Sequence, residues 1–477
     1  MPLVIFFLVL IVIVWTIALM RLNISLAGVK KLSLLHGLAM LIVLTGSVLG
    51  YEFFHASGGP IPLTIDRILF LGLLALAGWG WLTNREHLRM INRMDIAMIG
   101  VTAILVISTI THDFKYDDNL PLSRLLFFYM MPMGVYAVVR TAKLGKHDLA
   151  MYSITLACFA VYLALTGVAE MKYLHAIVFP KYIADPDFAE FFGRGRGPFL
   201  NPVSNGFFQI TGLCCMWFWW PKVGTRFRAL IAVGSLIIVA GIYATLTRSV
   251  WLSLIVVGGT AIWFSAPQSK KGGLLIAATL GGILLFPVLG DKLLSFKRDK
   301  EVTVSQMTES AQLRPLFFTV AMRMFQDRPL LGCGFGQYAR EKYPYLQDPF
   351  TGKPLSKTKS YLQHNVFLAY LTELGIIGLT TLIALLAVMG RAAYRLWFDR
   401  KQDLLRRQFG LLLAAILTTF CINGMFHDTS IMPMVNMLLF FAAGAVNNIQ
   451  TTRASMPELV TTTPIRQSQR HGYPVAN

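Results

Sequence analysis

The chain has 477 residues, of which 55% are hydrophobic and only 14% are charged, with a mean hydropathy of +0.59. Soluble globular proteins carry about 25% charged residues, so this composition excludes a cytosolic enzyme, a collagenous chain and a disordered scaffold, and indicates a membrane protein. The net charge of +19 would suggest a nucleic-acid partner in a soluble chain. In a membrane chain it is accounted for by cationic loops that orient the spans, so no nucleic acid is expected.

Thirteen apolar stretches are expected to form helical spans, near residues 2–20, 33–50, 67–83, 95–111, 124–139, 150–168, 203–220, 228–246, 250–265, 273–290, 364–389, 408–425 and 430–447. Each is close to the ~20 residues that a helix needs to cross a bilayer; 124–139 and 250–265 are short. The fold class is therefore an all-α polytopic membrane protein with about 12–13 transmembrane helices. Residues 1–20 lack a basic leader and a small-residue cleavage site, and read as a first span. The organisation expected is ten helices with an outer loop near 169–202 (residues 1–290), a large outer segment (291–363), C-terminal helices (364–450) and a disordered polar tail (451–477).

The loops sort by charge. Every second loop, together with the tail, is rich in Lys and Arg, for example Arg140, Lys143 and Lys146, or Arg391, Arg395, Arg400, Lys401, Arg406 and Arg407. The alternate short loops, near 51–66, 112–123 and 426–429, hold only Lys115. Short cationic loops belong in the cytoplasm; this puts the N-terminus outside and the C-terminus inside. Of the five cysteines, Cys158, Cys214, Cys215 and Cys421 lie in apolar runs and Cys333 in a polar loop. No metal or disulfide spacing is present.

Several polar residues stand out in chain order. Asp185 and Asp187 have the DxD spacing that can hold a divalent cation beside a diphosphate, or mark a polar loop. Arg194 and Arg196 lie in Gly193-Arg-Gly-Arg-Gly-Pro-Phe199, where open backbone N–H groups and guanidinium groups suit an anion. Arg248 interrupts an apolar run whose two ends are both cytoplasmic. Twenty residues of helix from Arg228 span ~30 Å, about one hydrocarbon thickness, so Arg248 is expected at the outer face in a tight turn with Thr247 and Ser249. Membrane-embedded charge suggests function, with headgroup snorkelling as the alternative. Arg314 opens an expected amphipathic helix, 313–328, whose Leu313, Leu316, Phe317, Val320, Ala321 and Met324 share a face. Pro315 suits its first turn and Pro329 follows its end; such a helix is expected to lie on the outer leaflet. His364 enters the next span at the membrane mouth, where a near-neutral pKa suits proton transfer. Glu373, nine residues later, is half a turn out of phase with His364 and is expected to pair elsewhere. His112-Asp113, His427-Asp428 and Gly332-Cys-Gly-Phe-Gly336 read as turns.

Arginines bind phosphate bidentately and stabilise a diphosphate leaving group, and a histidine can take a hydroxyl proton. A transporter of lipid headgroups would use a similar surface, but should carry ionisable residues at mid-membrane, and few are found. The run Arg314-Pro, Arg323, Asp327-Arg-Pro-Leu-Leu-Gly-Cys-Gly-Phe-Gly336, His364-Asn365 and Glu373-Leu-Gly-Ile-Ile-Gly378 resembles the signature of the O-antigen ligase and O-antigen polymerase superfamily. Gly197-Pro-Phe-Leu-Asn201-Pro and Leu246-Thr-Arg248-Ser are similar to its upstream motifs. The Leu200-Asn-Pro-Val-Ser-Asn205 variant weakens any role for Asn201 or Asn205. The resemblance covers about 190–380.

The resemblance implies an inverting membrane glycosyltransferase of GT-C type. Such an enzyme takes a glycan from undecaprenyl diphosphate on the periplasmic face of the bacterial inner membrane, with no metal or nucleotide cofactor. It passes the glycan to a lipid or glycan acceptor among the membrane lipids. It also implies Arg248, Arg314 and His364 as catalytic residues, the arginines on the diphosphate. Arg194, Arg196 and Arg323 are expected to bind substrate. Ligase, polymerase and protein O-oligosaccharyltransferase share the signature.

Overall fold

A computed structural model describes residues 33–56, 62–83, 90–114, 121–188, 190–265, 269–273, 304–347 and 352–454. Among these the structure is helical, with one isolated bridge between Ala56 and Leu63. Twelve helices matter here. They are α1 (Leu34–Val48), α2 (Ile65–Thr83), α3 (Arg93–Thr111), α4 (Pro121–Thr141, with a π-helical turn at Leu126–Met130), α5 (Lys146–Met171) and α6 (Pro202–Trp217). The rest are α7 (Thr225–Ala244), α8 (Arg248–Ser265), α9 (Val304–Asp327), α10 (Val366–Phe398), α11 (Leu404–Gly424) and α12 (Pro433–Ala454). Seven of them are long and apolar enough to cross a membrane: α2, α3, α4, α5, α7, α10 and α11. The chain is an all-α polytopic membrane protein. Eleven of the thirteen expected stretches are helices; 2–20 and 273–290 lie outside the described residues, as does most of the tail.

Helix starts follow local chemistry. Asn92 caps α3 by accepting from the N–H groups of Met94 and Asp95, and Asp95 returns the bond to Asn92 N–H. Asn201 caps α6 just before Pro202, Asn365 caps α10 and Asp403 caps α11. A side-chain oxygen at this position satisfies N–H groups that otherwise lack a partner. α5 and α6 cross closely, where a Cβ at Gly212 would meet Leu156 O at 2.4 Å. Small residues let membrane helices approach this far without a hydrophobic drive between them.

The loops segregate into two ends, as their charges require. At one end Tyr182 donates to Val48 O and Pro198 O, Gln337 donates to Asp113 O, and Asn365 Nδ2 donates to Met425 O. At the other, Lys146 meets Asp403 at 3.5 Å, Gln408 donates to Phe218 O, and Asn448 donates to Ala142 O. The second end also holds a buried knot. Arg140 pairs with Asp95 at 2.6 Å, and Asp95 accepts from Tyr136 and Asn447, tying α3, α4 and α12. The first end corresponds to the loops expected outside.

Two expectations for the large outer segment are corrected. Its helix starts at Val304, so Pro315 lies inside it rather than in its first turn. The polar run before Leu313 has no apolar period, so the sequence pattern did not reveal that the helix extends there. The apolar face is occupied by protein rather than by a leaflet. Val320 and Met324 pack with Cys333, Tyr338, Leu346 and Leu355 in a small core of their own, and Leu313, Phe317 and Ala321 are buried too.

Candidate active site

α7 and α8 form the expected hairpin. Thr245, Leu246 and Thr247 make its turn, Leu246 in a left-handed conformation (φ 48), and Arg248 begins α8. Arg194 is buried beside this turn. Its Nε donates to Thr245 O at 3.2 Å and its Nη2 to Thr247 Oγ1 at 2.6 Å, while Gly195 N–H donates to Ala244 O at 2.7 Å. Arg194 thus braces the turn that presents Arg248.

Arg196 is fully buried, and its side chain is committed to protein. It pairs with Glu170 at 2.8 Å, with the two side chains 0% and 1% exposed. It also donates to Ile183 O, Phe188 O and Glu190 O. Glu170 accepts in addition from the N–H groups of Arg196 and Gly197 at 2.9 Å each. A buried guanidinium persists when ion pairing and hydrogen bonds replace water, and here they do. Asn205 Nδ2 donates to Gly195 O, which closes the loop onto α6. Asp185 accepts from Asp187 N–H at 3.0 Å, a local turn.

Arg314, on α9, lies within electrostatic range of Arg248 at the start of α8. The charge of Arg248 and partial burial both push the Arg314 guanidinium below its ordinary pKa, burial being the larger effect. Arg314 lies over the Phe426 ring at 4.9 Å, and no carboxylate among the described residues pairs with it. Two guanidinium charges within range of each other favour an anion nearby. Arg323 does not join them. Nine residues along α9 place it ~13 Å away on the opposite face, where it donates to Gln347 O at 3.2 Å.

His364 lies within electrostatic range of Arg314. Its ring packs on Phe317 and Tyr361, with centroids at 5.4 and 6.1 Å. Packing lowers its pKa; Arg314 and Lys342 lower it further, against an opposing pull from Asp428. The imidazole is therefore neutral near pH 7 and able to accept a proton. Lys342 is buried and its ammonium donates to Thr358 O (3.2 Å) and Tyr361 O (2.6 Å); burial pushes it down to about 8. Asp428, buried on a turn braced by Ser430 N–H and Oγ, is the acid that offsets these cations. Sequence reasoning passed over Asp428 and Lys342. A lone acid at a cation-free outer turn was the available signal for the first.

Glu373 pairs elsewhere, as expected: with Arg124 of α4 at 3.7 Å and with Gly336 N–H at 2.9 Å. It stands beside a break in α10 at Gly375 (φ 65, ψ −164). The segment 329–336 mends this break. Cys333 and Gly334 N–H donate to the carbonyls of Thr372 and Glu373, and Pro329 O accepts from Ile376 N–H, all at 2.9 Å. A Cβ on Gly375 would meet Leu330 O at 2.2 Å, and one on Gly332 (φ 70) would meet the Glu373 carbonyl carbon at 2.5 Å. The two glycine-containing motifs thus clasp each other and fix the segment that ends at His364.

No curated protein matches the chain. Residues 233–383, about a third of its length, match the family model described as O-antigen ligase, a stretch that contains Arg248, Arg314, His364 and both halves of the clasp. The match and the motifs together support the O-antigen ligase and polymerase superfamily for this chain.

Proposed function

We propose that the protein is an O-antigen ligase-like glycosyltransferase that moves a glycan from undecaprenyl diphosphate to a lipid or glycan acceptor at the periplasmic face of the inner membrane. The observation that supports this reading is that Arg314 lies within electrostatic range of both Arg248 and a neutral His364, at the end of the helical bundle that gathers the cation-poor short loops. The arginines hold the diphosphate. As the acceptor oxygen attacks the anomeric carbon, the bond to the diphosphate oxygen breaks, and the arginines take up the charge left on it. His364 receives the hydroxyl proton, and attack opposite the leaving group inverts the anomeric centre. Asp428 stabilises the imidazolium that results. Arg194 and Arg196 are assigned to holding the scaffold, Arg194 through the Arg248 turn.

The test is transfer by the purified protein, in detergent or nanodiscs, from a synthetic undecaprenyl-diphosphate glycan, with products read by mass spectrometry. Arg248→Ala, Arg314→Ala and His364→Ala are each expected to abolish transfer while the protein stays folded. Wild-type rates in all three would overturn the assignment. Products extended by repeat units mark a polymerase, and a lipid-linked or peptide-linked product marks a ligase or a protein oligosaccharyltransferase.

A further inference from the structure

The His364 ring makes only aromatic contacts among the described residues and no hydrogen bond there, so its backbone decides where its nitrogens point. That backbone is in a left-handed conformation, φ 50, which a non-glycine residue keeps only when its neighbours hold it. Asn365 is one anchor: its Oδ1 accepts from Phe367 and Leu368 N–H, and its Nδ2 donates to Met425 O at 3.1 Å. Gln363 is the other. It is buried, and its Nε2 donates to Thr372 Oγ1 at 3.0 Å.

Thr372 is also buried, immediately before Glu373-Leu374, on the near side of the α10 break. Its hydroxyl donates to Leu368 O at 2.8 Å and accepts from Gln363. Its carbonyl accepts from Cys333 N–H at 2.9 Å. One residue therefore ties the chain entering His364 to the clasp formed with the 329–336 segment. We propose that Gln363 and Thr372 are positioning residues that set the direction of the His364 imidazole, a role that rests on the transfer reaction assigned above. Neither residue touches substrate; both act through the histidine.

Two readouts test this. One is kcat and donor KM against pH. The other is the rate at which diethyl pyrocarbonate modifies His364, resolved by peptide mass spectrometry across pH, which does not depend on transfer. Thr372→Val removes the acceptor for Gln363. The double variant Gln363→Leu/Thr372→Val removes both partners of this bond; Glu373, which Gln363 also reaches, keeps Arg124 and Gly336 N–H, so the variant is expected to fold. Loss of alignment by about 1 Å costs on the order of 100-fold in rate, so kcat is expected to fall ~10- to 100-fold in both, with donor KM within ~3-fold. Released from the packing of Phe317 and Tyr361 and from the charges of Arg314 and Lys342, with Asp428 still opposite, His364 should titrate closer to an ordinary histidine. The modification curve and the acid limb of kcat then move to higher pH. Thr372→Ser, which keeps the hydroxyl, should behave as wild type. A role in folding alone would scale the amount of active protein without moving either curve. Unmoved curves with wild-type kcat in the folded double variant would overturn the proposal. A moved modification curve in a protein that never transfers glycan would uphold the positioning and overturn the reaction.

Discussion

Glu170→Ala should loosen the whole loop between α5 and α6. Glu170 makes a 2.8 Å pair with Arg196 and accepts two backbone N–H groups. With both side chains essentially inaccessible, water cannot replace the lost carboxylate. Breaking one partner of a buried pair costs about 3–5 kcal/mol, because the guanidinium stays buried with only carbonyls around it. Replacing both with apolar residues, Glu170→Met/Arg196→Met, removes the stranded charge and should recover most of that loss, less the bonds to Arg196 and Gly197 N–H. The assay is the temperature of half-inactivation in detergent, with transfer activity at low temperature alongside. A double variant that is more stable than Glu170→Ala and retains transfer confirms a structural Arg196. A double variant that folds but shows no transfer would refute the reasoning and return Arg196 to the substrate. A Glu170→Ala protein as stable as wild type would refute it equally.

Other outcomes follow from the same geometry. Gly375→Ala adds a Cβ 2.2 Å from Leu330 O at a positive φ; strain and two weakened backbone bonds amount to about 3–5 kcal/mol. Gly390→Ala, on the same helix with open space around it, should be neutral or slightly stabilising in the same thermal assay. The His364 pKa lies below its ordinary value of 6.5, and the neutral ring is the competent form. The rate should therefore be flat near pH 7 and fall as pH drops through that lowered pKa; a fall already complete at pH 7 would contradict it. Arg248→Lys and Arg314→Lys should lose most transfer, since an ammonium cannot make the two parallel bonds of a guanidinium. EDTA should leave transfer unchanged, because the charges on the diphosphate are supplied by arginines; activity lost to EDTA and restored by Mg²⁺ would instead direct attention to Asp185 and Asp187.

Much of the fold was legible because the bilayer demands long apolar runs. Arg248 could be placed at a turn by counting residues from Arg228, and the structure puts it at the first position of α8. The arginines of 193–197 were harder to read. Glycine and arginine in alternation look the same whether they hold a ligand or a carboxylate of their own chain, and Glu170 lies on a different helix. Phase along α9 does separate Arg323 from Arg314, and this was already countable in the sequence. Asp428 offered only its place as a lone acid at a cation-free turn, since its influence on His364 crosses between elements distant in sequence and does not come from spacing along one helix. The clasp at Gly375 was visible only as paired glycine motifs, because their complementarity is a matter of backbone contact across the fold.

The central claim divides labour between two arginines that hold the diphosphate and a histidine that moves a proton, and binding separates the two tasks. Affinity for undecaprenyl diphosphate, measured by native mass spectrometry or tryptophan fluorescence, should fall in Arg248→Ala and Arg314→Ala. His364→Ala should bind as wild type and yet transfer nothing. Wild-type affinity in both arginine variants, or loss of affinity in His364→Ala alone, would contradict the account.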